Sequence, residues 1–254
     1  MTWAGKRRLL VALIGGAVIV AFSAVLIISS IYETPSCVDL TMNQDEVGVD
    51  CGGSCPYLCT AQVLPPTTLY SKVVSNGAGR LDLVASVENK NATAAAKNVP
   101  YRVRVYGADQ VLLNEVSGTL DLPPAARMPV FIPGVVVGTH PAVVAFLEID
   151  PASPRWFRLA SDPRIIPAVS NTTLSADKGT PRIVATVTNS TITPLANLPV
   201  IVVVRDAAGN VIGASSTLIP SLPELGQASA LFTWNGAFIA TPTSIEVIPV
   251  PGLP

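Results

Sequence analysis

The stretch VASVEN at residues 84–89 returns almost unchanged as VATVTN at residues 184–189. Other pairs recur at a similar offset: Leu122-Pro123 with Leu222-Pro223, Val99-Pro100 with Leu198-Pro199 one residue out of step, and Val130-Phe131 with Leu231-Phe232 after one insertion. Self-similarity at a long and nearly constant offset is the signature of a duplicated structural unit. The sequence therefore predicts two similar domains in tandem.

Both copies have the composition of β-strands and turns. From residue 64 onward, short runs of Val, Ile, Leu and Thr are broken by Pro, Gly, Asn and Asp, which is typical of strands joined by turns. Each copy is close in size to an immunoglobulin-like or fibronectin-like sandwich of about seven strands. We therefore predict an all-β fold with two tandem immunoglobulin-like β-sandwich domains, residues 64–165 and 166–254.

Two segments carry local signals of this fold. The run YRVRV at residues 101–105 alternates with period two, which sends its apolar residues to one face of a strand and Arg102 and Arg104 to a solvated face. The segment 206–210 joins two apolar runs, and its Gly209-Asn210 pair suits the positive-φ positions of a hairpin turn. A strand and a hairpin are predicted at these places.

The N-terminal region reads as a membrane anchor. Residues 9–28, LLVALIGGAVIVAFSAVLII, contain no charge, and twenty helical residues span about 30 Å of hydrocarbon. Lys6, Arg7 and Arg8 precede this run, whereas Glu33 is the first charge after it. The positive-inside rule then predicts a cytoplasmic N-terminus at residues 1–8 and an exported remainder.

The lipid bilayer is thus a predicted partner, through a transmembrane helix over residues 9–31, and the predicted location is the cell membrane with a single pass. The alternative is a cleaved signal peptide, whose apolar region is typically 7 to 15 residues long. Because the run here has twenty residues, an uncleaved anchor is the preferred interpretation.

A small cysteine-rich module is predicted over residues 32–63. It holds all the cysteines of the chain, Cys37, Cys51, Cys55 and Cys59, and an even count in an exported segment predicts two disulfides. Four cysteines allow three pairings, and we prefer Cys37–Cys51 because closing a longer loop constrains the unfolded chain more. Zinc and iron–sulfur sites require other spacings.

The same module contains a cluster of oxygen-bearing side chains. They are Asp39, Asn43, Asp45, Glu46 and Asp50, with no basic residue between them. Hard cations take oxygen ligands from such loops, so a calcium site is one hypothesis, although Val47 occupies a ligand position of an EF-hand loop. A solvated acidic loop held by disulfides is the other. Gly52 and Gly53 are expected to supply positive φ for a tight turn.

The residues from Cys37 to Cys59 resemble a small motif of bacterial exported proteins with a DCGG-x-C core. The matching positions are Cys37, Asp39, Asn43, Asp45-Glu46, Gly48, Asp50-Cys51-Gly52-Gly53 and Cys55-Pro56. Leu40 and Gln44 stand where the motif usually has glycine, and the final spacing to Cys59 is longer. The resemblance implies a short disulfide-bearing unit of a surface or envelope protein, beside β-sandwich repeats and without an enzymatic role.

The second copy also carries a resemblance. Its ATVTN at 185–189, VVVRDAAGNVIG at 202–213 and LPELGQASALFTW at 222–234 are similar to the FxLYD type of bacterial extracellular β-sandwich. In that type the hairpin and the strand after it are structural. The resemblance therefore implies a fold and no reaction.

Several function classes are excluded by composition. With 16 Lys and Arg against 17 Asp and Glu, the chain lacks the basic excess that binds nucleic acid. It has one histidine, His140, placed in a loop signature, and no phosphate-binding, nucleophile-elbow or zinc-hydrolase motif. Glu148 and Asp150 are expected at the end of a strand rather than as a glycosidase pair. We predict no enzyme and no cofactor beyond the calcium hypothesis.

Three smaller expectations complete the prediction. Trp156, Phe157 and Trp234 are expected in cores, with a surface for stacking on sugars as the alternative. Arg155 and Arg158 are expected at an inter-domain contact. The N-x-S/T sequons are expected in exposed loops, and they begin at Asn91, Asn171 and Asn189.

Together these features predict a membrane-anchored, extracytoplasmic structural or protein-binding module of the cell envelope, without catalytic activity. Its partner would be an envelope or surface protein. The alternative function is a calcium- or carbohydrate-dependent surface adhesin, motivated by the acidic loop and the aromatic residues.

Overall fold

The computed structural model describes residues 3–31, 36–43, 45–77, 79–135, 141–177 and 179–254. The chain divides into two compact units, Met1–Cys55 and Pro56–Pro254. The first holds one helix and the acidic part of the cysteine module, and the second holds all the strands. His140 lies outside the described residues.

Helix α1 covers Trp3–Ile31. The segment Trp3–Ser29 has a mean hydropathy of 2.8, and none of its most apolar window is buried inside the protein. A core helix of a soluble protein would be mostly covered, whereas a membrane anchor and a signal sequence would both have this exposed apolar surface. The helix is long and apolar enough to cross a membrane, as predicted.

Among the residues that the structure describes, thirteen strands follow a short 3₁₀ helix at Thr60–Gln62. They are β1 (Thr67–Gly77), β2 (Arg80–Glu88), β3 (Ala94–Gly107), β4 (Leu112–Leu122), β5 (Arg127–Val135), β6 (Ala142–Glu148), β7 (Trp156–Arg158), β8 (Ala168–Asp177), β9 (Thr180–Thr188), β10 (Leu195–Arg205), β11 (Val211–Leu222), β12 (Gln227–Thr233) and β13 (Ser244–Pro249). The prediction of a mostly β protein with one N-terminal apolar helix is confirmed.

Strands β1 to β7 form what we call the first repeat. One sheet has the order β1-β2-β5 and the other the order β4-β3-β6, with β7 pairing along the start of β3. Residues from both sheets meet in one core, which includes Leu83, Val103, Val105, Leu147 and Trp156. In β3 the alternation places Val103 and Val105 inside and Arg102 outside, as the period-two pattern predicts.

Strands β8 to β13 form the second repeat with the same plan. The sheet orders are β12-β9-β8 and β11-β10-β13, and the core includes Ile183, Val202, Val204, Phe232 and Trp234. The predicted hairpin between β10 and β11 is present, and Gly209 has a φ of +81°. Asn210 was expected at positive φ as well, but its φ is not positive. Its backbone N–H donates to the Asp206 carboxylate at 2.8 Å.

The strand registers correct one detail of the duplication. Val84 pairs with Phe131 in the first repeat, and Val184 pairs with Leu231 in the second. Phe131 therefore corresponds to Leu231, and the inserted residue predicted at this place is wrong. The error arose because two adjacent apolar residues can be aligned in either register, whereas only one register keeps the inward and outward faces of a strand.

A buried asparagine closes each repeat at the same corner. Asn89 Nδ2 donates to the Ala94 carbonyl at 2.8 Å and to the Pro123 carbonyl at 2.7 Å. Asn189 Nδ2 donates to the Thr193 and Pro223 carbonyls at 2.8 Å and 3.0 Å. Because each amide satisfies carbonyls of two loops, the recurring Asn of VASVEN and VATVTN is structural.

The two repeats pack against each other through the outer faces of two sheets. Val74 and Val84 of the first repeat meet Ile201, Val203 and Ala214 of the second in a third apolar cluster. Val84, Val203 and Ala214 are fully buried there. The face of β10 that points away from its own core is thus covered by the first repeat.

Polar contacts flank this apolar contact at one end. The Asn76 carbonyl and Oδ1 accept hydrogen bonds from the Asn235 N–H at 2.9 Å and 3.0 Å, and Asn76 Nδ2 donates to buried Asp82. Gly77 comes so close to Gly236 that a side chain at either position would overlap the other backbone. These contacts position the second repeat on the first.

Candidate functional site

The cysteines form disulfides, as predicted, but the preferred pairing is wrong. Cys37 bonds to Cys55, with 5.7 Å between their Cα atoms, and Cys51 and Cys59 are disulfide-bonded as well. The Cys37–Cys55 loop spans 18 residues and encloses the whole acidic segment. Loop length does not decide the pairing, because Cys59 is farther along the chain than Cys55 and would close a still longer loop with Cys37.

A tight turn brings the chain back to Cys55. Gly52 and Gly53 have φ values of +77° and +55°, which confirms the predicted positive φ. A Cβ atom on Gly53 would lie 2.0 Å from the Asp45 carbonyl oxygen. No other residue fits here, because both the backbone conformation and the close approach require glycine.

Asp39 is the most heavily hydrogen-bonded carboxylate of the module. It accepts from Thr41 Oγ1 at 2.7 Å, from Asn43 Nδ2 at 2.8 Å, and from the backbone N–H groups of Ser36 and Thr41 at 3.0 Å each. The Thr41 hydroxyl and the Asn43 amide hold the pKa of this carboxyl well below its usual range. The ionised side chain therefore organises the loop.

Asp50 and Glu46 extend this network through backbone donors. Asp50 accepts from the N–H groups of Asp39 at 3.0 Å and Leu40 at 3.1 Å. The buried Glu46 accepts through Oε2 from the N–H groups of Asn43 at 3.2 Å and Asp50 at 3.3 Å. These carboxylates thus hold the loop in its conformation, because they accept hydrogen bonds from backbone N–H groups that belong to no sheet or helix.

Asp45, the fifth predicted ligand, lies on another contact. Its Oδ1 accepts from Ser54 Oγ at 2.7 Å, and this hydroxyl lowers the pKa of the Asp45 carboxyl. The structure brings the other four predicted ligands into one hydrogen-bonded network, which leaves few free oxygens for a cation. Asn43 Oδ1 is a buried acceptor without a partner among the described residues. The calcium site stays a prediction.

A second grouping in the module looks like a metal site and is not one. Cys37, Glu46 and Cys55 bring ligand atoms within 4.8 Å of one another. Both sulfurs are in one disulfide, and metal ligation requires the thiolate. Among the described residues, Glu46 alone of this group could ligate.

The large aromatic residues lie inside the repeats. Trp156 and Trp234 are each less than 5% exposed, which confirms their expected place in cores and removes the sugar-stacking alternative for them. Phe157 pairs with Tyr57 in an isolated bridge, and the Arg155 guanidinium lies 4.1 Å from the centre of the Tyr57 ring. Arg155 therefore contacts the segment before β1 rather than the second repeat.

The outer face of β3 carries an ion-pair network. Arg104 contacts Glu115 and Glu148 at 2.9 Å each, and Arg102 contacts Glu115 at 3.2 Å. Glu115 raises the pKa of Arg104. Since Glu148 ends β6 in an ion pair and Asp150 caps the turn at the Ala152 N–H, these acids occupy the structural places that were predicted.

One end of the same face is apolar and exposed. Phe146 and Val144 of β6 are 53% and 38% exposed, and Leu112 of β4 is 47% exposed. Tyr106 lies edge-on to Phe146, with 6.0 Å between the ring centres. Contiguous exposed apolar groups of this kind mark surfaces that contact other molecules.

The sequons fall in three different environments. Asn171 is exposed on β8 and Asn91 is half-buried, with its Nδ2 donating to the Leu64 carbonyl at 2.8 Å. Asn189 is fully buried, so its expected place in an exposed loop is wrong. Its side chain is one of the two buried corner amides, which a tripeptide motif does not reveal.

Sequence reasoning missed the contact between the repeats. A signal for it was present, because residues 200–204 read VIVVV without alternation. A strand that is covered on both faces has such a continuous apolar run.

A comparison with known protein families and with curated proteins finds no match for the chain.

Proposed function

We propose that this protein is a membrane-anchored, extracytoplasmic structural or protein-binding module of the cell envelope, in which two immunoglobulin-like sandwiches are displayed on one transmembrane helix. The observation that carries the proposal is helix α1, an apolar segment of 27 residues whose most apolar window is not buried by the described part of the protein. Such a surface is stable only in lipid or in an equivalent apolar surrounding.

Two further features support export of the chain beyond the helix. All four cysteines are disulfide-bonded, and disulfides persist in oxidising compartments outside the cytoplasm. Lys6, Arg7 and Arg8 all precede the apolar run, and the next basic residue is Lys72. This asymmetry favours a cytoplasmic N-terminus.

Binding rather than catalysis is supported by the surface of the first repeat. Neither Glu148 nor Asp150 is a free carboxylate of the kind that a catalytic pair requires. Arg104 forms an ion pair with Glu148, and the Ala152 N–H donates to Asp150. The exposed apolar end near Phe146 is of the kind that contacts another protein.

Protease accessibility tests the topology. Spheroplasts expressing the full chain with a C-terminal epitope are treated with a protease, beside a cytosolic control protein. We expect loss of the epitope while the control stays intact. A protected epitope on spheroplasts whose exported markers are digested would contradict the proposal.

A charge-reversal variant is the matched control for orientation. Arg7→Glu with Arg8→Glu removes two of the three charges that favour the cytoplasm. We expect a fraction of this variant to become protected. If a processed form without residues 1–30 appears in the wild type, the helix is a signal peptide and the anchor proposal fails.

Calcium binding is the second candidate function, and one observation favours it. Asn43 Oδ1 is buried beside Asp39 without a hydrogen-bond partner among the described residues, and an amide oxygen is a calcium ligand. Titration calorimetry of the full chain in detergent with calcium chloride tests it, with Asn43→Ala as the variant that should lose the heat. An absence of heat at millimolar calcium would remove this candidate.

A further inference from the structure

The acidic segment of the cysteine module is built with its apolar side chains outside. In residues 36–55 every Val, Leu and Met side chain is exposed: Val38 by 79%, Leu40 by 81%, Met42 by 62%, and Val47 and Val49 by 53% each. We call these five residues the apolar rim. A soluble surface normally scatters such side chains singly among polar ones.

The polar residues that alternate with the rim point the other way. Asp39, Asn43, Glu46 and Asp50 accept or donate the hydrogen bonds that hold the loop together. Because these side chains must reach backbone N–H groups inside the loop, their apolar neighbours in sequence are turned outward. The hydrogen-bond network therefore fixes the outward direction of the rim side chains, whatever rotamers they adopt.

Leu40 is held in a conformation that its side chain disfavours. Its φ is +61°, a left-handed backbone that suits glycine or asparagine and strains a branched aliphatic residue. Its N–H and that of Asp39 both donate to the Asp50 carboxylate, which keeps the turn in place. A large apolar residue at the apex of such a turn, 81% exposed, has no role in the packing of the module.

The chain length ties the rim to the end of helix α1. Helix α1 ends at Ile31, and the described part of the module begins at Ser36, five Cα steps later. Since consecutive Cα atoms are 3.8 Å apart, this distance is at most about 19 Å. The polar layer on each side of the hydrocarbon is several ångströms deep. A module on so short a tether is confined to the surface of the bilayer that the helix crosses.

We propose that the apolar rim inserts into the boundary between headgroups and acyl chains of that same bilayer, so that the module seats the exported domains on the membrane. The proposal rests on the proposed function, because it requires α1 to span the membrane. Its occupant is lipid: there is no Lys, Arg or His between residues 9 and 71, so insertion is driven by burial of apolar surface and not by attraction to anionic headgroups.

Quenching by spin-labelled lipids tests this insertion on the full chain. The protein with Trp3→Phe is reconstituted into phosphatidylcholine vesicles that contain lipid spin-labelled near the headgroup. In this background Leu40→Trp adds a reporter on the rim, and Ile239→Trp adds one at a site of equal exposure, 81%, in the second repeat. Trp156 and Trp234 are buried and contribute equally to both samples.

We expect several-fold stronger quenching of Leu40→Trp than of Ile239→Trp, unchanged when half of the lipid is replaced by anionic phosphatidylglycerol. Equal quenching of the two variants overturns the proposal. Val38→Trp is the second rim variant, since its backbone is unstrained, and it should behave like Leu40→Trp. Mass measurement without reductant verifies both disulfides in each variant.

Flotation of the same vesicles separates this proposal from the one on which it rests. If the chain does not float with the vesicles, the anchor proposal fails. If the chain floats and Leu40→Trp is unquenched, the anchor stands and the rim does not enter lipid. That second result overturns the proposed insertion and leaves the proposed function standing.

Discussion

Strand β3 of the first repeat and the equivalent strand β10 of the second differ in whether their outer face is solvated or buried. In the first repeat β3 presents Arg102 and Arg104 to solvent, where they pair with Glu115 and Glu148. In the second repeat the equivalent positions of β10 are Ile201 and Val203. These are buried against the first repeat, at 7% and 0% exposure.

The neighbouring strands changed together with these residues. Glu115 opposite Arg104 corresponds to Ala214 opposite Val203, and Glu148 opposite Arg102 corresponds to Ile248 opposite Ile201. At these positions the first repeat carries charged residues on three strands and the second carries apolar ones, whereas Phe146 opposite Arg104 and Glu246 opposite Val203 depart from this division. The comparison shows that the change from a solvated to a covered face involves residues on more than one strand of the sheet.

Placing the charge of the first repeat into the second should have the largest effect. Val203→Arg puts a guanidinium into a fully buried contact, where the facing carboxylate, Glu246 on β13, is mostly exposed and already pairs with Arg205 at 3.7 Å. We expect a loss of about 3 kcal/mol in unfolding free energy, since an uncompensated buried charge costs several kcal/mol. Urea unfolding of the full chain in detergent, followed by the fluorescence of Trp156 and Trp234, measures it.

The reverse exchange is the control for that variant. Arg104→Val removes ion pairs at the surface, which add little to stability in water, so we expect the unfolding free energy to stay nearly unchanged. If Arg104→Val destabilises the chain as much as Val203→Arg, the two faces do not differ as their contacts indicate.

On the first repeat's side of this contact, we expect a smaller difference in unfolding free energy between equivalent variants of the two repeats. Val84 is fully buried against the second repeat, whereas its equivalent Val184 lies on the uncovered face of β9 and is half-buried. Val84→Ala should cost about 2 kcal/mol, because it removes two buried carbons and leaves a cavity. Val184→Ala should cost less than half as much in the same urea experiment, and equal losses would contradict a one-sided contact.

Sequence reasoning reached the architecture because the relevant signals are local. The charge-free run at 9–28 predicts the helix, and the alternation of YRVRV at 101–105 predicts the inward and outward faces of β3. The duplicated VASVEN and VATVTN identified the repeat, and the turn at Gly52-Gly53 was predicted with its positive φ. Each of these depends on residues that are close in the chain.

What sequence reasoning missed depends on contacts between distant residues. The pairing of Cys37 with Cys55 rather than Cys51 depends on how the folded loop brings these residues together, which spacing does not reveal. The burial of Asn189 is set by two loops that meet at a corner. The predicted ligands Asp39 and Asp50 were correctly placed together, but their role in binding backbone N–H groups requires the fold.

The polar contact of Asn76, at the end of the interface between the repeats, is a third feature that the second repeat does not share. Asn76 donates to Asp82 and accepts from Asn235, and it is the extra residue of a bulge in β1. In the second repeat β8 has no bulge at this place, and Arg182 stands where the first repeat has Asp82. Asn76→Ala leaves the buried Asp82 short of a donor, which costs about 1–3 kcal/mol. Urea unfolding of the variant should show this loss, and Ala176→Asn, made on the uncovered equivalent strand, should leave the unfolding free energy unchanged.

The turns after β3 and β10 give the smallest expected difference. Asp206 at the end of β10 accepts from the N–H groups of Asn210 at 2.8 Å and Ala208 at 2.9 Å, and the side chain of Asn210 together with these donors lowers its pKa. The equivalent residue after β3 is Gly107. Only the second repeat therefore has a carboxylate that organises its turn at this position.

Protonation should weaken the second turn and leave the first unchanged. A carboxyl whose folded pKa lies below its unfolded value of about 3.9 stabilises the fold above that value, and this stabilisation is lost as pH falls through the folded pKa. Carboxyl-carbon NMR should show Asp206 titrating below the range of an aspartate in the unfolded chain. Asp206→Asn should lessen the acid dependence of hydrogen exchange at the Asn210 amide without changing that of Gln110. An Asp206 that titrates like an aspartate of the unfolded chain would mean that its hydrogen bonds do not stabilise this turn, and that the difference between the repeats is confined to the faces of their sheets.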